Sequence, residues 1–161
     1  MKTPMFKVNF PEVFTPTEYP KGCGKFTYKI TMLFNDKTDL TGLKTEIEQT
    51  AKDFFGSKMP KEWRNPLKID EDTGLWCLKA NCGVKYAPLV IDRDLNPILD
   101  RKEIYSGAIC CAEIKFFGYD QGGNKGVTCK FKLIQKVKDG NPMVAVDTSA
   151  YAAPDEDFSW E

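Results

Sequence analysis

Residues 107–138 read GAICCAEIKFFGYDQGGNKGVTCKFKLIQKVK, and their alternation decides the fold. Ala108, Cys110, Ala112, Ile114 and Phe116 alternate with Ile109, Cys111, Glu113, Lys115 and Phe117. A period of two places successive side chains on opposite faces of a strand, and the first set is the expected core face. The Gly- and Asn-rich run Tyr119–Lys125 reads as a hairpin loop. Beyond it Val127, Cys129, Phe131, Leu133 and Val137 are expected on one face. Thr128, Lys130, Lys132, Lys136 and Lys138 fall on the other, and Ile134 interrupts the alternation.

The same period recurs outward from this hairpin. Phe6, Val8 and Phe10 alternate with Lys7 and Asn9 before Pro11 and Pro16, which are expected to bound a turn. Phe26, Tyr28, Ile30, Met32 and Phe34 alternate with Lys25, Thr27, Lys29 and Thr31. Residues 75–81 and 86–91 read as further strands, and Asp139-Gly140-Asn141-Pro142 as the turn that closes the last one. Between them the period changes once. Leu40, Leu43, Ile47, Ala51 and Phe54 follow helical spacing, with Asp39 as N-cap and Gly56 as stop. Residues 57–74 read as loop. Five or more short strands around one main helix predict a mainly β chain folded as a small OB-like β-barrel. One domain spans residues 1–150, and residues 151–161 form an acidic tail expected to be disordered.

The chain has 161 residues, with 23 Lys and Arg, 23 Asp and Glu, and no His. The missing His excludes imidazole bases, Ser-His-Asp triads and His-ligated zinc. Zero net charge argues against a nucleic-acid partner only until it is divided along the chain. Residues 1–138 hold 23 basic and 17 acidic groups, whereas residues 139–161 hold six acids and no base. A basic body therefore carries an acidic tail. The six cysteines, at positions 23, 77, 82, 110, 111 and 129, include no CxxC and follow no signal-peptide pattern, so they are read as reduced. No apolar run reaches membrane-spanning length.

The polar strand faces carry Lys7, Lys25, Lys29, Lys130, Lys132, Lys136 and Lys138, with Lys125 in the hairpin loop. Such faces are ordinarily just solvated. Aromatics shift the balance: Phe117 and Tyr119 lie beside Lys115, and Trp76 with Lys79 and Trp63 with Arg64 are similar pairs. Flat rings that stack bases, interleaved with cations that track phosphates, are what a single-strand groove requires. The candidate DNA contacts are therefore Lys25, Tyr28, Lys29, Trp76, Lys79, Lys115, Phe117, Tyr119, Lys125, Lys130 and Lys132. Asp70-Glu71-Asp72, Asp92 and Asp94 are the carboxylates an Mg²⁺-dependent nuclease would need, but adjacent acids in a strand diverge and acidic turns are ordinary. No cofactor or metal is expected. In the tail, Asp155, Glu156, Asp157, Phe158, Trp160 and Glu161 combine acid with isolated aromatics. Such a segment suits docking into a basic, apolar-lined groove, on a partner protein or on the body itself.

Several motifs resemble a known family. They are Tyr105-Ser106-Gly107, Gly123-Asn124-Lys125-Gly126-Val127 and Gln135-Lys136-Val137-Lys138-Asp139-Gly140. With them go the segment Phe6 to Phe14, Phe54-Phe55-Gly56, and Ala87-Pro88-Leu89-Val90-Ile91-Asp92 followed by Pro97-Ile98. In this order, over about residues 5–145, the chain resembles the OB-fold single-stranded DNA-binding proteins of tailed bacteriophages, first catalogued as a domain of unknown function. The resemblance implies a non-enzymatic barrel that coats single-stranded DNA in the bacterial host cytoplasm during phage replication or recombination. Its acidic C-terminal tail would recruit replication or recombination proteins, and a homodimer stays open. One departure stands out. Where the family pattern carries small and amide residues in the last strand, this chain reads Thr128-Cys129-Lys130-Phe131-Lys132-Leu133, a more basic face. A virion or scaffold interaction module is the alternative reading.

Overall fold

The structure, a computed structural model, describes residues 1–18 and 22–142. The tail residues Asp155, Glu156, Asp157, Phe158, Trp160 and Glu161, and the domain boundary at 150, lie outside the described residues. The described residues form seven strands: β1 (Phe6–Glu18), β2 (Phe26–Phe34), β3 (Leu67–Ile69), β4 (Trp76–Gly83), β5 (Leu89–Ile91), β6 (Ile109–Gln121) and β7 (Asn124–Lys138). One helix, α1 (Thr41–Phe55), falls between β2 and β3. The sheet runs β3-β4-β2-β1-β6-β7-β5, and an added pairing of β4 with β7 closes a ring. All neighbours in that ring are antiparallel except β4 and β7, which meet in parallel at Asn81 and Lys130. Five strands in the cyclic order β1-β2-β4-β7-β6 make the Greek-key, partly open barrel of an OB-like fold.

Val8, Ile30, Met32, Leu78, Ala108, Cys110, Ala112, Ile114 and Phe131 point inward and are almost wholly buried, whereas Phe10 and Phe26, expected on the same apolar faces, are exposed. Helix α1 lays Leu43, Ile47 and Ala51 onto this core. Leu40, not Asp39, occupies the N-cap position. The Asp39 carboxylate still accepts from the Thr41 N–H at 3.0 Å, and the Thr41 side chain first, then this N–H, lower its pKa. The helix stops at Gly56, whose φ of 56° a side chain would resist.

Four expectations need correction. Pro11 and Pro16 do not end β1. The strand continues to Glu18 through two register shifts against β2, which leave both prolines outside the paired positions. At the first shift Phe10 adopts φ 47° and its N–H donates to Ser106 Oγ at 3.1 Å. The loop over residues 119–125 is instead a two-residue turn, Gly122-Gly123, both at positive φ, with pairing up to Gln121 and Asn124. Its arms project past the core, where no buried face imposes visible alternation. Residues 57–74 hide β3, a three-residue edge strand too short for a period. In β7 a register shift opposite Glu113 and Ile114 makes Lys132 an extra residue. Beyond it Ile134 faces inward, and Leu133 and Val137 are only half-buried.

All six cysteines are free and five are buried. Burial raises the thiol pKa to about 11 for Cys82 and about 12 for Cys110 and Cys129, and pushes up Cys77 and Cys111 as well. Near neutral pH these groups stay protonated and shielded, and behave as small apolar residues. Native protein at pH 8 is therefore expected to react with Ellman's reagent at one thiol, Cys23, and at all six in urea. A second site tests the packing. A Cβ on Gly118 would lie 2.2 Å from Phe54 Cγ and 2.5 Å from its Cβ, so α1 sits directly on β6. Gly118→Ala should cost about 1–3 kcal/mol in urea unfolding, as overpacking does.

Candidate nucleic-acid interface

The ring closure at Asn81 and Lys130 also assembles the outer surface. The registers Lys29 to Asn81, Asn81 to Lys130 and Lys130 to Lys115 form one row across β2, β4, β7 and β6. At the usual interstrand spacing this row is about 14 Å long. Lys130 Nζ donates to Asn81 Oδ1 at 2.5 Å, and Lys29 pairs with Glu12 at 3.7 Å. Lys115 and Lys130 stand directly opposite each other, an arrangement that destabilises a sheet unless an anion relieves it. Among the described residues, no carboxylate forms an ion pair with Lys115, Lys130 or Lys132.

A groove of about 620 Å³ opens at the Lys130–Lys115 end of this row. Lys115, Lys130 and Lys132 line it together with Cys82, Gly83 and Phe131, and two rings, Phe117 and Tyr86, stand at its sides. Phe117 is 43% exposed and Tyr86 is 74% exposed, and the Lys115 ammonium lies 5.2 Å from the Phe117 ring centre. Large rings left in water beside cations are available for stacking with a flat ligand.

Of the residues predicted from sequence, the groove gathers Lys115, Phe117, Lys130 and Lys132. Lys29 belongs to the same row, and Lys79 lies two residues from Asn81 on the exposed face of β4. Lys25 is exposed just before β2, and Lys125 sits by the hairpin turn, 3.9 Å from Asp120. Tyr119 is half-buried opposite Gly126 and does not line the groove.

Two candidates are placed elsewhere. Tyr28 is buried in the core beside Ile30 and Met32, because it lies on the apolar face of β2. Its ring is not offered to a ligand. Trp76 and Lys79, three residues apart in a strand, take opposite faces. The Trp76 ring packs against the core, with the Lys44 ammonium of α1 at 4.5 Å. Lys136 also leaves the basic face. Beyond the bulge its Nζ bonds Asp139 at 2.7 Å and Glu103 at 2.8 Å, over the Tyr105 ring.

Sequence reading missed Tyr86. It follows β4 in a single 3-10 turn, Val84–Tyr86, where no alternation marks it. The strand expected over residues 86–91 begins only at Leu89, so Tyr86, read as a strand residue, lies in the turn before it. The acidic candidates serve turns: Asp70 accepts from the Thr73 N–H and hydroxyl at 3.0 and 2.7 Å, and Asp92 from the Asp94 and Asn96 N–H groups at 2.8 and 3.0 Å. Among the described residues, no three acids or cysteines gather as a metal would need. No helix among them is long and apolar enough to cross a membrane.

Comparison with known proteins agrees with this architecture. Residues 1–160 match the profile of the family described as the ssDNA-binding protein of Enterobacter phage Enc34, and the chain belongs to that family. It is 29% identical over 153 residues to putative protein p50 of Acyrthosiphon pisum secondary endosymbiont phage 1, covering 84% of this chain and 81% of that one. Among solved structures, the single-stranded DNA-binding protein from bacteriophage Enc34 in complex with ssDNA superposes with a TM-score of 0.73 at 20% identity, over 89% of this chain and 88% of the other. Gp2.5, a single-stranded DNA-binding protein encoded by bacteriophage T7, gives 0.71 at 14% identity, over 100% and 98%. At these identities the likeness to the solved structures establishes the shared fold.

The Lys136 cluster yields a pH test. Bonds from Lys136 and the Tyr105 hydroxyl hold Asp139 below the usual carboxylate pKa. A lowered folded-state pKa gives stability that is present above the ordinary value and lost as pH falls through the lowered one. Thermal unfolding followed from pH 6 to pH 2 should therefore show a smaller acid loss for Asp139→Asn than for wild type.

Proposed function

We propose that this chain binds single-stranded DNA without base preference, along the groove between Tyr86 and Phe117. The observation that carries the reading is the opposed pair Lys115 and Lys130, without carboxylate partners among the described residues and flanked by two exposed rings. Phosphates relieve the repulsion between the lysines, and each neutralised phosphate releases condensed counterions. The rings stack on bases whatever their identity, because every base presents a π face. The action is one of binding, with no bond made or broken, and belongs to phage DNA replication or recombination in the host cytoplasm. Lys25, Lys29 and Lys79 extend the positive field beyond the groove. Asp155, Glu156, Asp157, Phe158, Trp160 and Glu161 recruit replication or recombination proteins as an acidic-aromatic ligand.

Titrating a thymine oligonucleotide against salt tests the reading. Affinity should fall linearly in log–log form, with a slope of about −2 to −3 if three or four phosphates are neutralised. Phe117→Ala and Tyr86→Ala should each lose about 1–3 kcal/mol of binding, the range for one stacked base. Binding that ignores salt, or no binding at all, would sink the proposal.

A further inference from the structure

On the N-terminal side of the Asn81–Lys130 contact, the backbone of Arg64 takes over from β4 as the neighbour of β7. Its N–H donates to the Lys125 carbonyl at 2.9 Å, and its carbonyl accepts from the Val127 N–H at 3.0 Å, pairing it in parallel with Gly126. Gly126 has to lack a side chain. A Cβ there would stand 2.6 Å from the Arg64 carbonyl oxygen and 2.9 Å from its nitrogen. The strap is fixed on both sides of Arg64: Trp63 packs against the core, and Asn65 Oδ1 accepts from the Leu67 N–H at 3.0 Å.

The side chain on this fixed backbone is exposed. Its Nη2 reaches Asn124 Oδ1 at 3.4 Å, and no carboxylate among the described residues pairs with it. Its neighbour Lys125, by contrast, pairs with Asp120. By strand alternation Asn124, Gly126, Thr128 and Lys130 share the outer face of β7. Gly126 lies four residues, about 13 Å, from Lys130. A guanidinium at that distance along β7 adds a cation on the hairpin side of the row, and its planar fork matches two phosphate oxygens.

We propose that Arg64, with Asn124 beside it, is a phosphate subsite at the hairpin end of the groove, where the DNA strand leaves the barrel. The proposal rests on the single-stranded DNA reading above and adds a contact to it. The subsite exists because Gly126 lets the strap approach, so the arginine meets the strand from a fixed backbone.

The test uses the full chain, with Arg64→Ala and Arg64→Lys, binding a 20-nucleotide thymine oligomer across a salt series. Arg64→Ala should weaken binding about fivefold at low salt, roughly 1 kcal/mol. It should make the salt slope shallower by about 0.7, the share of one phosphate on a single strand. Arg64→Lys should restore the slope but not the full affinity, and neither change should alter the urea midpoint. If wild type binds and Arg64→Ala keeps its slope, the subsite is overturned and the groove stands. If wild type does not bind, both readings fall.

Discussion

The parallel contact between β4 and β7 at Asn81 and Lys130 is the point on which the molecule turns. Without it the seven strands would be an open, curled sheet, and Asn81 of β4 and Lys130 of β7 would lie on strands separated by three others. With it, the inner faces enclose one core and the outer faces of four strands become one surface. The same residue that closes the ring supplies the central cation of the basic row. Its ammonium is held on the side-chain oxygen of Asn81, not on an acid. Closure and charge presentation are one event.

The fold follows from packing, whereas the surface carries a cost the packing does not need. Two lysines directly opposite on neighbouring strands, and two exposed rings beside them, are choices that stability alone disfavours. The core meets the ordinary requirements, and among the described residues no buried side-chain polar atom lacks a partner. The opposed lysines and the two rings share one groove, the pattern expected where a surface answers to a ligand.

Much of the fold was legible because burial on one side of a strand writes a period of two. The helix and its Gly56 stop follow from helical spacing, and the inward face of β6 and the outward placement of Lys115, Phe117, Lys130 and Lys132 from the period of two. It fails where burial does not act. The arms of the β6–β7 hairpin leave the core, so a two-residue turn looked like a seven-residue loop. Tyr86 sits in a turn with no periodicity. Tyr28 was enlisted for stacking although its own alternation placed it inside. Trp76 was coupled to Lys79 by nearness in sequence, where strand geometry separates them. Strand order, and with it the row through Asn81, depends on pairings far apart in the chain that local pattern does not encode.

The bulge at Lys132 has a consequence for how such a surface can change over time. From Asn124 to Lys130 each residue's side is set by counting from the Gly122-Gly123 turn, and the one extra residue at Lys132 resets the count before Ile134 enters the core. Side chains at the outer positions Thr128, Lys130 and Lys132 can be exchanged without disturbing the core, whereas Gly126 is held by the close approach of Arg64. Gain or loss of one residue between turn and bulge would instead turn every lysine inward and every apolar residue out. Variation along this strand is therefore confined to substitution, and length changes are left to the turn itself.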